Sequence, residues 1–428
     1  MNKLCKYIVA LMFVLVFTAG CSRQAAPPDT VIIEQIPPLN SESTEQTTQL
    51  NPVSAEEAPY HIGIITLGSA NADDDYRGAR ALVTEFGAAE DGGMVRHIVP
   101  PENFRGEQET FMAMITGLAE DSLMKAIIVF HSIEGTAAAF QKIKDSGRED
   151  MLLIAAQPQD APEIISQAAD IIVDYYDNVA RGYYDIVRAK NMGAKHFVFL
   201  SFPRHMSNEG LYRKKNIYEE TCKDLDIEFV FVTVPDPVEI GVPNVQKQVY
   251  DMMPSLVDKY GKDTAFFTTN WPLTETIIQG VIELGALFVI TDDAVPFLGF
   301  PEALGLDSSN LGYDYPAIVA KIEEAVVTKG GGGRLGCFAY SPPYCHSAGL
   351  GHLAMDMIEG KSTDIQKDIV TIYQALTPGC DWMSDIFRYP DGRTINNYYF
   401  LSMDTYIFGQ GYSGVFSEPF PEKYYSIE

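Results

Sequence analysis

The chain has 428 residues and 58 Asp plus Glu against 31 Lys plus Arg, a formal net charge of −27. Such an acidic chain is not built to neutralise phosphates, which excludes nucleic acid as a partner and disfavours direct adsorption to anionic headgroups. Its length exceeds the usual single-domain range and leaves room for two lobes with sizeable cores.

The first residues, MNKLCKYIVALMFVLVFTAGC, combine Lys3 and Lys6, an apolar stretch from Tyr7 to Phe17 and the small residues Thr18-Ala19-Gly20 before Cys21. This is the pattern of a secretory signal over residues 1–20, and the apolar stretch is short for a membrane span. The placement of Cys21 resembles the lipobox of bacterial lipoproteins, with Thr18 standing where an aliphatic residue is usual. That resemblance implies lipidation at Cys21, an extracytoplasmic location and membrane attachment through the N-terminal lipid. Residues 21–59 are rich in Pro, Ser, Thr, Gln and Glu, too polar to offset ordering, and are expected to form a tether spanning about 35 Å.

From Tyr60 the sequence alternates short apolar runs with amphipathic stretches, the signature of βαβ units. Strands are predicted at 61–67, 94–99, 126–131, 151–156 and 170–175, all continuous apolar runs suited to parallel strands buried on both faces. Helices are predicted at 73–86, 107–120 and 135–144 from apolar residues three and four apart. A second series has strands at 196–202, 228–234, 265–269 and 287–291, with helices at 208–225, 245–260 and 273–284. A further helix covers 316–329, and Gly330 to Gly333 read as its stop. The expected fold class is therefore α/β, two Rossmann-like lobes with parallel sheets around a cleft. Lobe 1 is expected over 60–177 plus about 293–360 and lobe 2 over 178–292, with 361–428 an extension bracing the lobes.

The segments HIGIITLGSANADDDYRGARALVTEFG, MKAIIVFHSIEGTAAAFQKIK, GAKHFVFLSFPRHMS and YGKDTAFFTTN resemble a bacterial exported family catalogued as a domain of unknown function. That family is grouped with the type 1 periplasmic-binding-protein fold. The resemblance implies a cleft that closes on a small ligand, and it names no ligand.

Ligands of open α/β sheets bind beyond the carboxyl ends of the strands, so those junctions hold the candidate residues. In the first lobe they are Ser69 and Asn71, His131 and Ser132, Gln157, and Tyr175 with Tyr176. Asn71 and Ser132 serve equally well as helix caps. In the second lobe they are Arg204 and His205, Asn270 and Trp271, and Asp292. Arg204 suits a carboxylate, a phosphate or sugar hydroxyls, and equally a structural bond to a carbonyl or an acid across the lobe. Trp271 can stack on a ring whose edge Asn270 binds, although a core role competes. An aromatic pocket with a few polar groups fits a sugar, nucleoside or similar ring compound.

Motifs for a phosphate loop, a zinc protease and a serine hydrolase do not occur in the sequence. The spacing of Cys337, Cys345, His346 and His352 fits no standard zinc pair, and no metal or cofactor is expected. The body cysteines Cys222, Cys337, Cys345 and Cys380 are expected as buried free thiols. The reading is a monomeric, non-enzymatic solute-binding lipoprotein serving the membrane permease of an ABC-type importer. The alternatives are a ligand-sensing lipoprotein signalling to a membrane receptor and a surface hydrolase.

Overall fold

The continuous apolar runs become the inner strands of two sheets, because a parallel strand covered by helices on both faces must bury every side chain. The structure, a computed structural model, describes residues 58–428 except 176, 291–294, 297 and 308–310, and the side chains of Ala70, Asn71 and Arg105 are also outside it. The signal, Cys21, most of the tether, Tyr176, Asp292 and the side chain of Asn71 therefore lie outside the described residues.

The first lobe begins with β1 (His61–Ile65), α1 (Ser69–Phe86), β2 (Val95–Ile98), α2 (Gln108–Leu118), β3 (Met124–Val129), α3 (Thr136–Asp145), β4 (Leu152–Ala156), α4 (Pro162–Ala168) and β5 (Ile171–Asp174). All five strands run parallel, and Ile62, Ile64, Ile127, Ile128 and Ile154 are fully buried. The second lobe follows with α5 (Asn178–Asn191), β6 (His196–Ser201), α6 (Pro203–Met206), α7 (Glu209–Asp224), β7 (Glu228–Thr233), α8 (Pro237–Ile240), α9 (Val242–Tyr260), β8 (Thr264–Thr268), α10 (Thr274–Leu284) and β9 (Leu287–Phe288). Its parallel sheet has the order β7-β6-β8-β9.

The chain then stays in the second lobe through α11 (Phe300–Leu304), α12 (Tyr315–Thr328) and β10 (Gly336–Phe338). Phe300, Leu304, Ile318, Ile322, Val326 and Cys337 share a core with Val198, Phe266 and Ile277, so the expected return near 293 comes too early. The return is made by α13 (Pro342–Ile358), which lies against α1. A Cβ on Gly78 would stand 1.8 Å from Ser347 Oγ, and one on Gly351 would stand 2.2 Å from Leu82, so these small residues let the two helices approach.

After α14 (Ile365–Leu376), the strands β11 (Trp382–Arg388) and β12 (Thr394–Met403) complete the first sheet in the order β11-β12-β5-β4-β3-β1-β2. Tyr398 pairs with Ile172 and Phe400 with Asp174, placing β12 parallel to β5. At Asp404 the chain crosses again, and β13 (Thr405–Ile407) and β14 (Gly411–Tyr412) pair with β10 in a three-stranded sheet. The last segment packs on α5, where Val415 and Tyr424 join Ala180, Tyr184 and Ile217.

Three segments thus join the lobes, after β5, after β10 and at Asp404. Asp404 is fully buried and accepts from Thr405 N at 2.8 Å, from Gly414 N at 2.7 Å and from Arg188 Nη2 at 3.3 Å. Arg188 also bonds Asp185 at 2.9 Å, and Asp185 accepts from Tyr218 at 2.6 Å. A buried ion pair earns its place only when its remaining hydrogen bonds are made, and here they are.

Candidate functional site

Two of the three non-glycine residues with positive φ among the described residues stand at adjacent strand ends: His131 at 46° after β3 and Gln157 at 52° after β4. A side chain in this left-handed region costs of order 1 kcal/mol, and such strain concentrates at functional sites. The His131 ring is fixed by Asp75, whose Oδ2 lies 2.8 Å from Nε2. Asp75 belongs to the inner stripe of α1 with Ala79, Leu82 and Val83, and burial pushes its carboxyl up while the bond to His131 pulls it down. Its Oδ1 is buried with no protein partner, and so is Oε1 of Gln157. Buried acceptors of this kind call for a water or a ligand donor.

Next to this pair, Ser132 does something else. It is fully buried and its hydroxyl donates to Val129 O at 2.8 Å and Ala156 O at 3.0 Å, so it ties β3 to β4 and neither faces a ligand nor caps a helix. The start of α3 is occupied from within, because Asp160 accepts from Gly135 N and Ala137 N, each at 2.9 Å. Ser69 is exposed at the first position of α1, and Gly68 before it makes no side-chain cap. Tyr175 is half-buried and stands edge-on to His346 at 5.4 Å, where it lines a small enclosed cavity with Arg181, Phe338 and Trp382 at the meeting of the three crossings.

In the second lobe the residues after β6 and β8 lie against one another. His205 Nδ1 is 3.0 Å from Thr269 Oγ1, which in turn is 2.8 Å from Ser201 Oγ. Arg204 is held by both oxygens of Asp236, at 2.6 and 2.9 Å, and this bond keeps the Asp236 carboxyl below its usual range. The structural alternative weighed for Arg204 is therefore the one observed. Trp271 is 57% exposed, which corrects the competing core role, and beside it Asn270 has a buried Oδ1 with no partner.

The two lobes also touch through the start of α1. Arg77 lies 3.3 Å over the ring of Tyr313 and bonds Asp73 at 2.5 Å, and Ser341 donates to Asp74 at 2.5 Å. Both arginines of the junctions are thus committed to acids. The buried unpaired atoms at these ends, Asp75 Oδ1, Gln157 Oε1 and Asn270 Oδ1, are all acceptors, and with the exposed indole of Trp271 they suit a ring that carries N–H or O–H donors.

Asp75 is a candidate group that the sequence reading did not single out. The run Asp73-Asp74-Asp75 reads as a charged helix start, yet Asp75 is four residues before Ala79 and seven before Leu82, the spacing of the buried stripe. The four body cysteines are free and buried, as expected. Among the described residues, no group of three or more His, Cys, Asp or Glu is placed to hold a metal ion, and no helix is long and apolar enough to cross a membrane.

Two α/β lobes joined by three crossings, with candidate groups gathered at the strand ends, make up a type 1 periplasmic-binding-protein-like fold. The chain belongs to the family described as "Protein of unknown function (DUF3798)", whose model matches residues 60–336, and a second family model matches residues 347–427. The gap between the two matches contains the end of β10 and the start of α13, where the chain returns to the first lobe. Two uncharacterized proteins of Treponema pallidum (strain Nichols) are similar. One is 38% identical over 184 residues, 42% of this chain and 82% of the relative; the other is 33% identical over 219 residues, 51% and 98%. Among solved structures, a candidate transcriptional regulator from Clostridium difficile 630 superposes with a TM-score of 0.74 at 22% identity, covering 82% of this chain and 99% of its own.

Proposed function

We propose that this protein is an extracytoplasmic solute-binding lipoprotein, anchored through Cys21, that closes its lobes on a small neutral ring compound such as a sugar or nucleoside. It performs no chemistry on the ligand and delivers it to the membrane permease of an ABC-type importer. The observation that carries the reading is the pair of strained backbones at His131 and Gln157, set beside buried unpaired acceptors, with an exposed Trp271 at the strand ends of the other lobe. Ser69, Asn71, Tyr175, Tyr176, His205, Asn270 and Asp292 complete the proposed contacts, and Ser132 and Arg204 drop out as direct ligands because their polar atoms are engaged. Closure is a population shift: a ligand favours the closed state by the contacts that only both lobes together supply.

The test is a thermal-shift screen of sugars, nucleosides and related rings, since a ligand bound only by the folded state raises apparent stability. A neutral ring compound is expected to raise the melting temperature, with Trp271→Ala weakening its affinity about tenfold or more while leaving the unliganded melting temperature in place. A hit confined to phosphorylated or carboxylate ligands would overturn the neutral class. For the anchor, Cys21→Ser is expected to release the protein from membranes, and continued membrane association would place the attachment elsewhere.

A further inference from the structure

An edge strand turns a row of backbone N–H and C=O groups away from its sheet, and proteins that stay monomeric blunt such edges with charge, irregularity or a cover. Three edges of the two main sheets are blunted in this way. β2 carries Arg96 and is bridged at Val95 by Ala88, β11 carries Asp385 and Arg388 and breaks register between Ile386 and Phe387, and β9 is two residues long and is bridged by Leu335.

The fourth edge, β7, is left plain. It reads Glu228-Phe229-Val230-Phe231-Val232-Thr233, with its one charge at the first residue, no proline and an unbroken register with β6. Phe231 is 40% exposed, and Val238 in the following α8 is 79% exposed. Glu228 N donates to Lys195 O and Val234 N to Ser201 O, each at 2.9 Å, so the even-numbered residues of the strand face β6. By the period of two, Phe229, Phe231 and Thr233 turn their backbone N–H and C=O groups outward.

This edge is complementary to itself. An antiparallel second copy centred on Phe231 sets Phe231 against Phe231 and Phe229 against Thr233 in both directions, and in each of these pairs both residues donate and accept. Between them Val230 meets Val232 and Glu228 meets Val234, so like charges do not oppose, and the facing phenylalanines form a cross-strand aromatic pair. The exposed Lys195, which also meets Asp263 at 3.1 Å, flanks the Glu228 end, and the exposed Glu239 flanks the Thr233 end. Antiparallel order therefore brings opposite charges to the same end of the joint, whereas a parallel copy would set Glu228 against Glu228 and would not close on a two-fold axis.

We propose that β7 is a dimerisation edge, which pairs antiparallel with β7 of a second copy of this chain about a two-fold axis at Phe231 and joins two four-stranded sheets into one, in place of the expected monomer. The axis passes through the middle of the strand, so the strand ends that hold the candidate ligand residues stay open in both copies.

The experiment is sedimentation equilibrium of the chain from residue 21 onward carrying Cys21→Ser, at about 0.5 M salt, where repulsion between two acidic bodies is screened. A dimer in equilibrium with monomer at micromolar concentration is expected, weakened about tenfold or more by Phe231→Lys, which sets two cations face to face, and by Thr233→Pro. Thr233→Pro removes one outward N–H and leaves the ladder to β6 whole, so it keeps the test decisive if Phe231→Lys fails to fold. A protein that is still monomeric at about 0.1 mM overturns the inference, as does a dimer that both variants leave intact. Amide hydrogen exchange at Phe229, Phe231 and Thr233 is expected to slow as the protein concentration rises. Protection that does not change with concentration assigns the edge to a segment of the same chain and overturns the dimer.

Discussion

The strand ends of the two lobes are built on different principles. In the first lobe the polar groups are sunk and held: His131 is pinned by the buried Asp75, Gln157 is 8% exposed, and both have left-handed backbones. In the second lobe the backbone at the corresponding ends is extended, Ser201, Thr269 and His205 bond one another while Asn270 keeps an unpaired Oδ1, and the prominent group is an exposed indole. The contrast suggests a division of labour under the proposed function. A preorganised first lobe sets orientation through hydrogen bonds, and the second contributes apolar contact that is realised on closure.

The largest effect is expected from uncoupling the lobes. Asp404→Ala leaves Arg188 buried and half-paired and removes the acceptor of Gly414 N, which should cost about 3–5 kcal/mol. Urea unfolding would read this as a lower midpoint, or as two separate transitions if the lobes then unfold independently. An unchanged midpoint would show that the three crossings hold the lobes without this ion pair.

Acid is expected to act next, and mostly on the first lobe. Burial pushes His346 down to about 3 and His97 down to about 4, so both stay neutral in the fold while unfolded histidine takes up a proton near 6.5. The stability they carry is present above pH 6.5 and lost as pH falls, by about 2 kcal/mol per group at pH 5. Asp177 works in the opposite sense. Burial pushes its carboxyl up to about 6, so the stability it withholds at pH 7 returns as pH falls through 6. Asp177→Asn keeps an acceptor for Val179 N and Ala180 N and removes this opposing contribution. The variant is expected to match or exceed the parent at pH 7 and to show a steeper loss of stability between pH 6.5 and 5. Parallel pH profiles would remove Asp177 from the account.

How much of this was legible in the sequence depends on whether a signal is local. The nine strands from His61 to Phe288 and the helices α1, α2, α3, α7, α9 and α10 declare themselves because a buried parallel strand needs a continuous apolar run and its helix an apolar stripe, whereas α4 and α5 are absent from the sequence prediction. The return to the first lobe was misplaced because Phe300 and Ile318 are apolar in either lobe, and only packing shows which core they join. The membership of β11 and β12 in the first sheet rests on pairing with β5 more than two hundred residues earlier, which no local pattern encodes. At the site, the junction positions of His131, Gln157, Asn270 and Trp271 follow from the strand predictions. The commitment of Arg204 to Asp236 and of Ser132 to two carbonyls depends on contacts made after folding.

The smallest expected effect separates strain from binding. Glycine adopts a φ of 52° without steric cost, so Gln157→Gly should relieve backbone strain at that junction. Glycine also gains freedom in the unfolded chain, which offsets part of the benefit, and the net change is expected between zero and about 1 kcal/mol of stabilisation. Ligand affinity should fall by about tenfold, because the buried side chain and its unpaired Oε1 are lost together. Trp271→Ala is the matched control from the other lobe, with affinity reduced and no gain in stability. If Gln157→Gly instead destabilises the protein with affinity intact, the left-handed backbone serves the turn itself, and the first lobe is no more preorganised for a ligand than the second.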